Sequence, residues 1–373
     1  MAGSFFFDFR NRLLRNPAFR RFAEKMPIFQ RIARSNAYDL FRMAGGFIHS
    51  QVLVSCVNLG IFDLLKDGAL PLADIAGKTS VPAARLEHLL RAAAALRLLD
   101  SRSGNRFGLG ILGASIVDSD GMKAIFEHHA LLYRDLVDPV AMFRGDVQAE
   151  YMQRLWSYAG DQDESGLDAA GVTTYTELMA RSQTMVAEQV LDAWSMKDCR
   201  SLLDIGGGSG VFAMAAGERW PSLKLSVADL PPVAEIARER LAATEAGSRV
   251  TVIGANAVTD ALPDGFDVVS FIRILHDHDD DVVRKLLANA RKAVAPGGTL
   301  LIGEPLADAP GAGPLIDAYF NVYLLAMGSG RPRRFDELKS FLEEAGFEEI
   351  RLRSTRIPLI TSVITAKATN LVV

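Results

Sequence analysis

Three patterns of apolar and polar positions succeed one another along the chain. From residue 1 to about 40, aromatic and basic residues are mixed, and Pro17 and Pro27 break any helix into short pieces. Residues 41–66 read as one long helix ending in LGIFDLLKDG. Two shorter helices follow, LPLADIAGKT and PAARLEHLLRAAAALRLL, with Pro82 suited to a first helical turn. LDSRSGNRFGLG then predicts a two-stranded wing turning at Ser103–Gly104. Residues 114–196 return to helical periodicity on either side of an acidic, Gly-containing loop at 160–171. After Ser195, short apolar runs alternate with helical stretches, the mark of an α/β unit with a mostly parallel sheet.

Helix, helix, helix, wing is the order of a winged-helix unit, which raises nucleic-acid binding. The helix that would enter a groove, Arg85 to Leu98, is rich in Ala and Leu and poor in the basic groups that phosphate contacts need. Packing against another subunit is the expected role. Residues 43–62 carry no Lys, Arg, Asp or Glu, yet Gly45, Gly46, His49, Ser50, Gln51, Ser55 and Asn58 interrupt the run, so a buried helix is expected rather than a membrane span.

Charge adds one asymmetry. The chain of 373 residues has a net charge of −4, which builds no global field for a polyanion. Residues 1–35 nevertheless hold eight Lys/Arg against Asp8 and Glu24. That arm is compatible both with rest on an anionic lipid surface and with a clasp on a partner subunit. Cys56 and Cys199 are far apart and form no ligand or disulfide framework, and the first residues lack the order of a signal peptide. A cytoplasmic protein, in peripheral contact with a membrane if the arm is used that way, is the expectation.

The most informative chemistry lies in SLLDIGGGSGVFAMAAGERWP. An apolar strand, Leu202 to Ile205, runs into Gly206, Gly207, Gly208, Ser209 and Gly210, and a helix follows from Val211. Such a turn brings backbone close to a ligand. No Lys follows the glycines, as a P-loop would require, and Gly206-x-Gly208-x-Gly210 departs from dinucleotide spacing. Asp204 beside the loop would repel a pyrophosphate and welcome a sulfonium or an amino group. The next strand, LKLSVAD, ends in Asp229, where a carboxylate can take both ribose hydroxyls. S-adenosylmethionine fits these features best.

RVTVIGAN, FDVVSFIRIL and the strand after Pro296-Gly297-Gly298 continue the sheet, and FEEIRLRSTRI with TSVITAKAT closes it. DIGGGSG, ADLP, ILHD and APGG stand in the order of the class I S-adenosylmethionine-dependent methyltransferases, which the chain resembles. With its helical winged N-terminal part it is more specifically similar to the dimeric caffeate/acetylserotonin-type O-methyltransferases. The resemblance implies an α/β fold: a Rossmann-like, doubly wound, mostly parallel sheet with an N-terminal winged-helix dimerisation domain. The expected divisions are an arm (1–40), the dimerisation domain (41–113), a helical connector and substrate cap (114–196) and the catalytic domain (197–373).

RILHDHDDD, Arg273 to Asp281, admits three readings: a metal site, a general base at a strand end, or an acidic helix start. Consecutive residues rarely converge on one ion, and no metal is expected. Asp279, Asp280 and Asp281 suit the N-terminus of the helix that follows. His276 matches the family's general base, and Glu304 in LIGEP matches a Glu that orients it. The resemblance places cofactor contacts at Asp204, Gly206, Gly208, Gly210, Asp229, Leu230, Asn256 and Arg273. Three positions depart from the family: Pro332 stands where a second orienting Glu is usual, Ala255 and Asn256 follow Gly254 where an Asp is usual, and His278 replaces a Trp.

FRMAGGFIHSQVL, HHALLYRDLVDPVAMFRG and YLLAMGSGRPRR resemble the hydroxyneurosporene-type branch, which implies methylation of the tertiary 1-hydroxyl of an acyclic carotenoid. Phe126, His129, Tyr133, Met142, Phe143, Met179, Tyr319, Tyr323 and Met327 are candidates to meet such an apolar acceptor, and His128 stands beside them. Other acceptors stay open: a bacteriochlorophyllide carbon or a phenolic or polyketide hydroxyl on the same fold. A non-catalytic, ligand-sensing winged-helix protein is the reading from a different class.

Overall fold

The computed structural model describes residues 2–23, 25–147, 149–156 and 169–369. They form two compact units, 1–117 and 118–373. In the first, α1 (Ala2–Arg15), α2 (Pro17–Ala23) and α3 (Pro27–Ala44) begin anew at the prolines, as the pattern predicts. The expected single helix over 41–66 is instead the end of α3, α4 (Gly46–Asn58) and α5 (Ile61–Leu64). A bend of 51° separates α3 from α4 at Gly45, and Gly60 adopts φ +64°, a left-handed conformation that ends α4's helical run.

β1 (Leu70–Pro71), α6 (Leu72–Thr79), α7 (Ala83–Ala95), β2 (Leu99–Arg102), β3 (Arg106–Leu109) and α8 (Ile111–Ala114) complete this unit. The wing is three-stranded, in the order β1-β3-β2, rather than two-stranded. Leu86, Leu90 and Ala93, spaced along one face of α7, are buried in the unit's core.

The second unit opens with α9 (Asp120–Asp135), α10 (Pro139–Arg144), α11 (Glu150–Trp156) and α12 (Ala169–Ala193). Most of the acidic loop expected at 160–171 lies outside the described residues. Then come β4 (Ser201–Ile205), α13 (Val211–Arg219), β5 (Lys224–Asp229), α14 (Pro231–Ala242), β6 (Val250–Gly254), β7 (Phe266–Ile272), α15 (Asp280–Ala293), β8 (Val294–Glu304), α16 (Gly313–Met327), α17 (Phe335–Glu344), β9 (Phe347–Arg353) and β10 (Ser362–Ala368).

The seven strands are ordered β6-β5-β4-β7-β8-β10-β9, and β10 alone runs antiparallel to its neighbours. Both faces are covered. Leu203, Ile205, Val269, Phe271, Leu300 and Ile302 enter one apolar core, while Leu202, Val268, Ile272 and Leu301 enter the other. Successive side chains of a strand point to opposite faces, so near-continuous apolar runs such as VVSFI serve two cores at once. The strand order reverses between β4 and β7, and loops from the carboxyl ends of both strands meet there, the place where doubly wound sheets bind ligands.

Candidate active site

The loop after β4 and the turn after β7 wall one cavity. A Cβ on Gly206 would come within 2.5 Å of the Ile274 side chain, so the two segments are in direct contact. The cavity is lined by Asp204, Gly206, Gly208, Asp229, Leu230, Asn256, Arg273, His276 and Tyr323, among others.

Asp204 is 1% exposed; Ser270 Oγ donates to its Oδ1 at 2.7 Å, and its buried Oδ2 has no partner. Burial lifts this carboxyl to about 7, against the Ser270 hydrogen bond and helped by the charge of Asp229. Asp229 accepts from the backbone N–H of Gly208 at 2.7 Å and of Leu230 at 2.8 Å, while burial still raises it to about 6.

These observations test whether S-adenosylmethionine suits the site. An orphaned carboxylate oxygen inside a ligand cavity wants a cation, and the sulfonium ligand carries two positive centres. Gly207 admits no side chain, since a Cβ would lie 2.6 Å from Asp204 Oδ2. Gly208, at φ +55°, has open space where a Cβ would be, so its backbone faces the ligand volume. The residues present fit the group. Gly210 does not line the cavity; at φ +83° its Cα faces Leu241, and it starts α13. Asn256 lines the cavity, but its Oδ1 already accepts from Val258 N–H at 2.9 Å.

His276 lies in a short 3₁₀ turn, Leu275–Asp277, just past β7, and is 4% exposed. Its Nδ1 is 2.5 Å from Glu304 Oε2, at the end of β8. The other oxygen, Glu304 Oε1, accepts from the backbone N–H groups of Ile274 at 2.9 Å and Leu275 at 2.7 Å. This bond fixes the proton on Nδ1 and leaves Nε2 as the basic nitrogen. Nε2 is 3.2 Å from Asp277 Oδ1. Burial alone would lower His276, but Asp277 and Glu304 outweigh it and the net direction is upward. Burial in turn raises Glu304, yet the His276 charge and hydrogen bonds hold it low, and burial puts Asp277 at about 6.

A metal would have only Nε2 of His276 to bind, since Nδ1 is held by Glu304. Among the described residues no three His, Cys, Asp or Glu side chains converge on an ion position. Asp280 and Asp281 occupy the first turn of α15, as the acidic-start reading expects.

Three features that no sequence pattern marked complete this corner. Asp277 supplies a second carboxylate to His276 where Pro332 replaces the expected Glu. Arg333, 2% exposed, donates to the carbonyls of Leu275 at 2.7 Å and His278 at 2.6 Å, and to Asp280 Oδ1 at 2.8 Å and 3.0 Å. Arg331 N–H meets the His276 carbonyl at 2.9 Å and Ser329 Oγ the Asp277 carbonyl at 2.8 Å. One loop, 328–333, therefore holds all four carbonyls of the turn from 275 to 278. Only a buried Arg at a distant sequence position could signal this.

On the acceptor side, α16 carries aromatic side chains toward α9 and His276. The Phe320 ring meets His276 edge-on with centroids 5.4 Å apart, and the Arg273 guanidinium lies 5.8 Å from the same ring. Tyr323 lines the cavity, and its hydroxyl is 2.8 Å from His128 Nε2. Burial, helped by the charges of His129 and Arg273, lowers His128 to about 4, so it is a neutral partner. Tyr319 and His129 pair at 2.7 Å, and Tyr133 packs on His129, but these three are outside the cavity lining. Met142 and Met327 are buried in the core and Phe143 is 60% exposed, and none of the three lines the cofactor cavity. The Met179 side chain lies outside the described residues. His278 lines the cavity where a Trp was expected, and burial lowers it to about 4.

Comparison with known proteins agrees with this geometry. Residues 133–348 match the model of the O-methyltransferase domain and residues 41–115 that of the O-methyltransferase dimerisation domain. The chain is 37% identical to a demethylspheroidene O-methyltransferase of Cereibacter sphaeroides over 95% of its own length and 93% of the relative's. It is 36% identical to the enzyme of that name from Rhodobacter capsulatus, over 92% and 85%. Human N-acetylserotonin methyltransferase, whose crystal structure is a complex with SAM, superposes with a TM-score of 0.74 at 25% identity, over 89% of this chain and 98% of that one.

Proposed function

The chain belongs to the O-methyltransferase family, and we propose that it methylates the tertiary 1-hydroxyl of an acyclic carotenoid of the demethylspheroidene type. It is an S-adenosylmethionine-dependent enzyme, and the dimerisation domain at 41–115 supports a homodimer. The observation that carries the catalytic assignment is the Glu304–His276 pair at the edge of the cofactor cavity.

S-adenosylmethionine, when bound, supplies an electrophilic methyl group on a sulfonium. Asp204 and Asp229 provide negative charge and hydrogen-bond acceptors for its cationic and ribose parts. His276 Nε2 takes the acceptor's proton as the oxygen attacks, and Glu304 and Asp277 stabilise the imidazolium that forms. A tertiary alcohol is a far weaker acid than a phenol. A base whose proton affinity is raised by two carboxylates suits that acceptor, as does an aromatic wall, Phe320 and Tyr323, that orients an apolar chain.

The nearly full-length similarity to enzymes named for demethylspheroidene supports the acceptor. The test is turnover with methyl-labelled S-adenosylmethionine, offering 1-hydroxy carotenoids in detergent beside a panel of phenols. Label on the carotenoid hydroxyl is expected. Label on phenols alone overturns the acceptor and leaves the methyl transfer standing, and no label on any acceptor favours the sensor.

A further inference from the structure

The N-terminal arm lies before the dimerisation domain, which begins at residue 41, and has the makeup of a lipid-binding surface. α3 is an amphipathic helix of 18 residues with no buried residue. At helical spacing Ile28 and Ile32 share one side, 69% and 52% exposed, with Arg31 flanking it and Arg34 beyond on the polar side. The single carboxylate of α3, Asp39, sits beyond this stretch. In α1 Phe9, 56% exposed, and Leu13 share one side at i, i+4 spacing, and Arg12 and Arg15 stand in the last turn. Two helices of the arm thus pair apolar side chains open to solvent with an excess of positive charge.

We propose that residues 7–34 bind the surface of an anionic phospholipid bilayer, with the apolar sides of α1 and α3 in the headgroup–acyl boundary. A helix that gathers its apolar residues on one side and basic residues on the other lies in the interface plane. Charge complementarity selects the lipid: the arm's net +6 is attracted to anionic headgroups while the rest of the chain, net negative, is not. The arm does not span. Among the described residues no single helix is long and apolar enough to cross a membrane, and although α3 and α4 together pass by length and composition, α4 buries Val54 and Cys56. A second copy is the other occupant to consider. The exposed apolar residues from Phe41 onward, within the dimerisation domain, are its natural place, whereas two basic arms would repel one another. This inference is independent of the acceptor.

The test is flotation of the purified full-length protein with two kinds of vesicle, phosphatidylcholine alone and phosphatidylcholine mixed with phosphatidylglycerol, alongside its mass by light scattering. The wild type should float with the anionic vesicles, less so at high salt, and poorly with phosphatidylcholine alone. Each arginine removed should lower partitioning about fivefold, the factor equivalent to about 1 kcal/mol per basic residue at the surface. Arg31→Gln/Arg34→Gln and Ile28→Ser/Ile32→Ser should both lose binding while keeping the oligomer mass. No flotation of the wild type with anionic vesicles overturns the proposal. Variants that bind vesicles like wild type but fall to a lower mass assign the arm to a second copy instead.

Discussion

Glu304 Oε2 lies 2.5 Å from His276 Nδ1, and Glu304 Oε1 holds the backbone N–H groups of Ile274 and Leu275. One carboxylate thereby fixes the position, tautomer and charge of the base from the end of the neighbouring strand. His276→Ala should lower kcat by about 10²–10⁴, with S-adenosylmethionine affinity nearly intact by calorimetry. Glu304→Gln should also lower kcat, since an amide neither selects the tautomer nor stabilises an imidazolium. Loss of cofactor binding in His276→Ala would give the residue a structural role.

The pH profile follows from the same pair. His276 must be neutral to accept a proton, and its net pKa is raised above the ordinary 6.5. Activity should therefore be full only above that raised value and fall as pH drops through it. Asp277→Asn removes a neighbouring negative charge and should move the acid limb of kcat/KM to lower pH. An unmoved limb would show that another group controls it.

Cofactor binding should also report protons. Asp204 and Asp229 are raised to about 7 and about 6, so lowering the pH through these values protonates the groups that attract a cation. Affinity for S-adenosylmethionine should increase from pH 5.5 to 7.5, by about tenfold for one coupled carboxyl, with protons released on binding. Asp204→Asn should flatten this dependence. Asp229→Ala should weaken binding at every pH, and unchanged affinity would remove Asp229 from the ribose position.

Arg333 is a positioning residue, because it touches the carbonyls on either side of His276 and not the cavity. Arg333→Met leaves buried carbonyls without a donor and should cost about 3 kcal/mol of stability, read as a lower urea midpoint. At a temperature where the variant remains folded, kcat should drop more than cofactor affinity. Equal losses in both would mean a purely structural role.

Much of this was legible along the chain. Alternating strand and helix patterns, the Gly206–Gly210 loop and the acids ending β4 and β5 are local features, and hydrophobic periodicity and glycine turn chemistry write them directly into the residue order. The errors were local too. The helical pattern over 41–66 marks no helix end, because Gly45 and Gly60 stop a helix only when flanking packing selects their conformations.

Sequence by itself determined the α/β class and the cofactor loop, since each depends on residue type within a short window or at a strand end, while His276 and Glu304 were paired only through the family resemblance. Tertiary structure alone decided the rest. It turned Gly210 toward Leu241, buried Met327, set Asp277 against Nε2, and brought loop 328–333 onto the carbonyls of residues 275–278. The physical reason is that strand order and helix packing set which distant side chains meet. A hydrogen bond between residues 58 apart, such as Arg333 to Leu275, exists only once the sheet has fixed both ends.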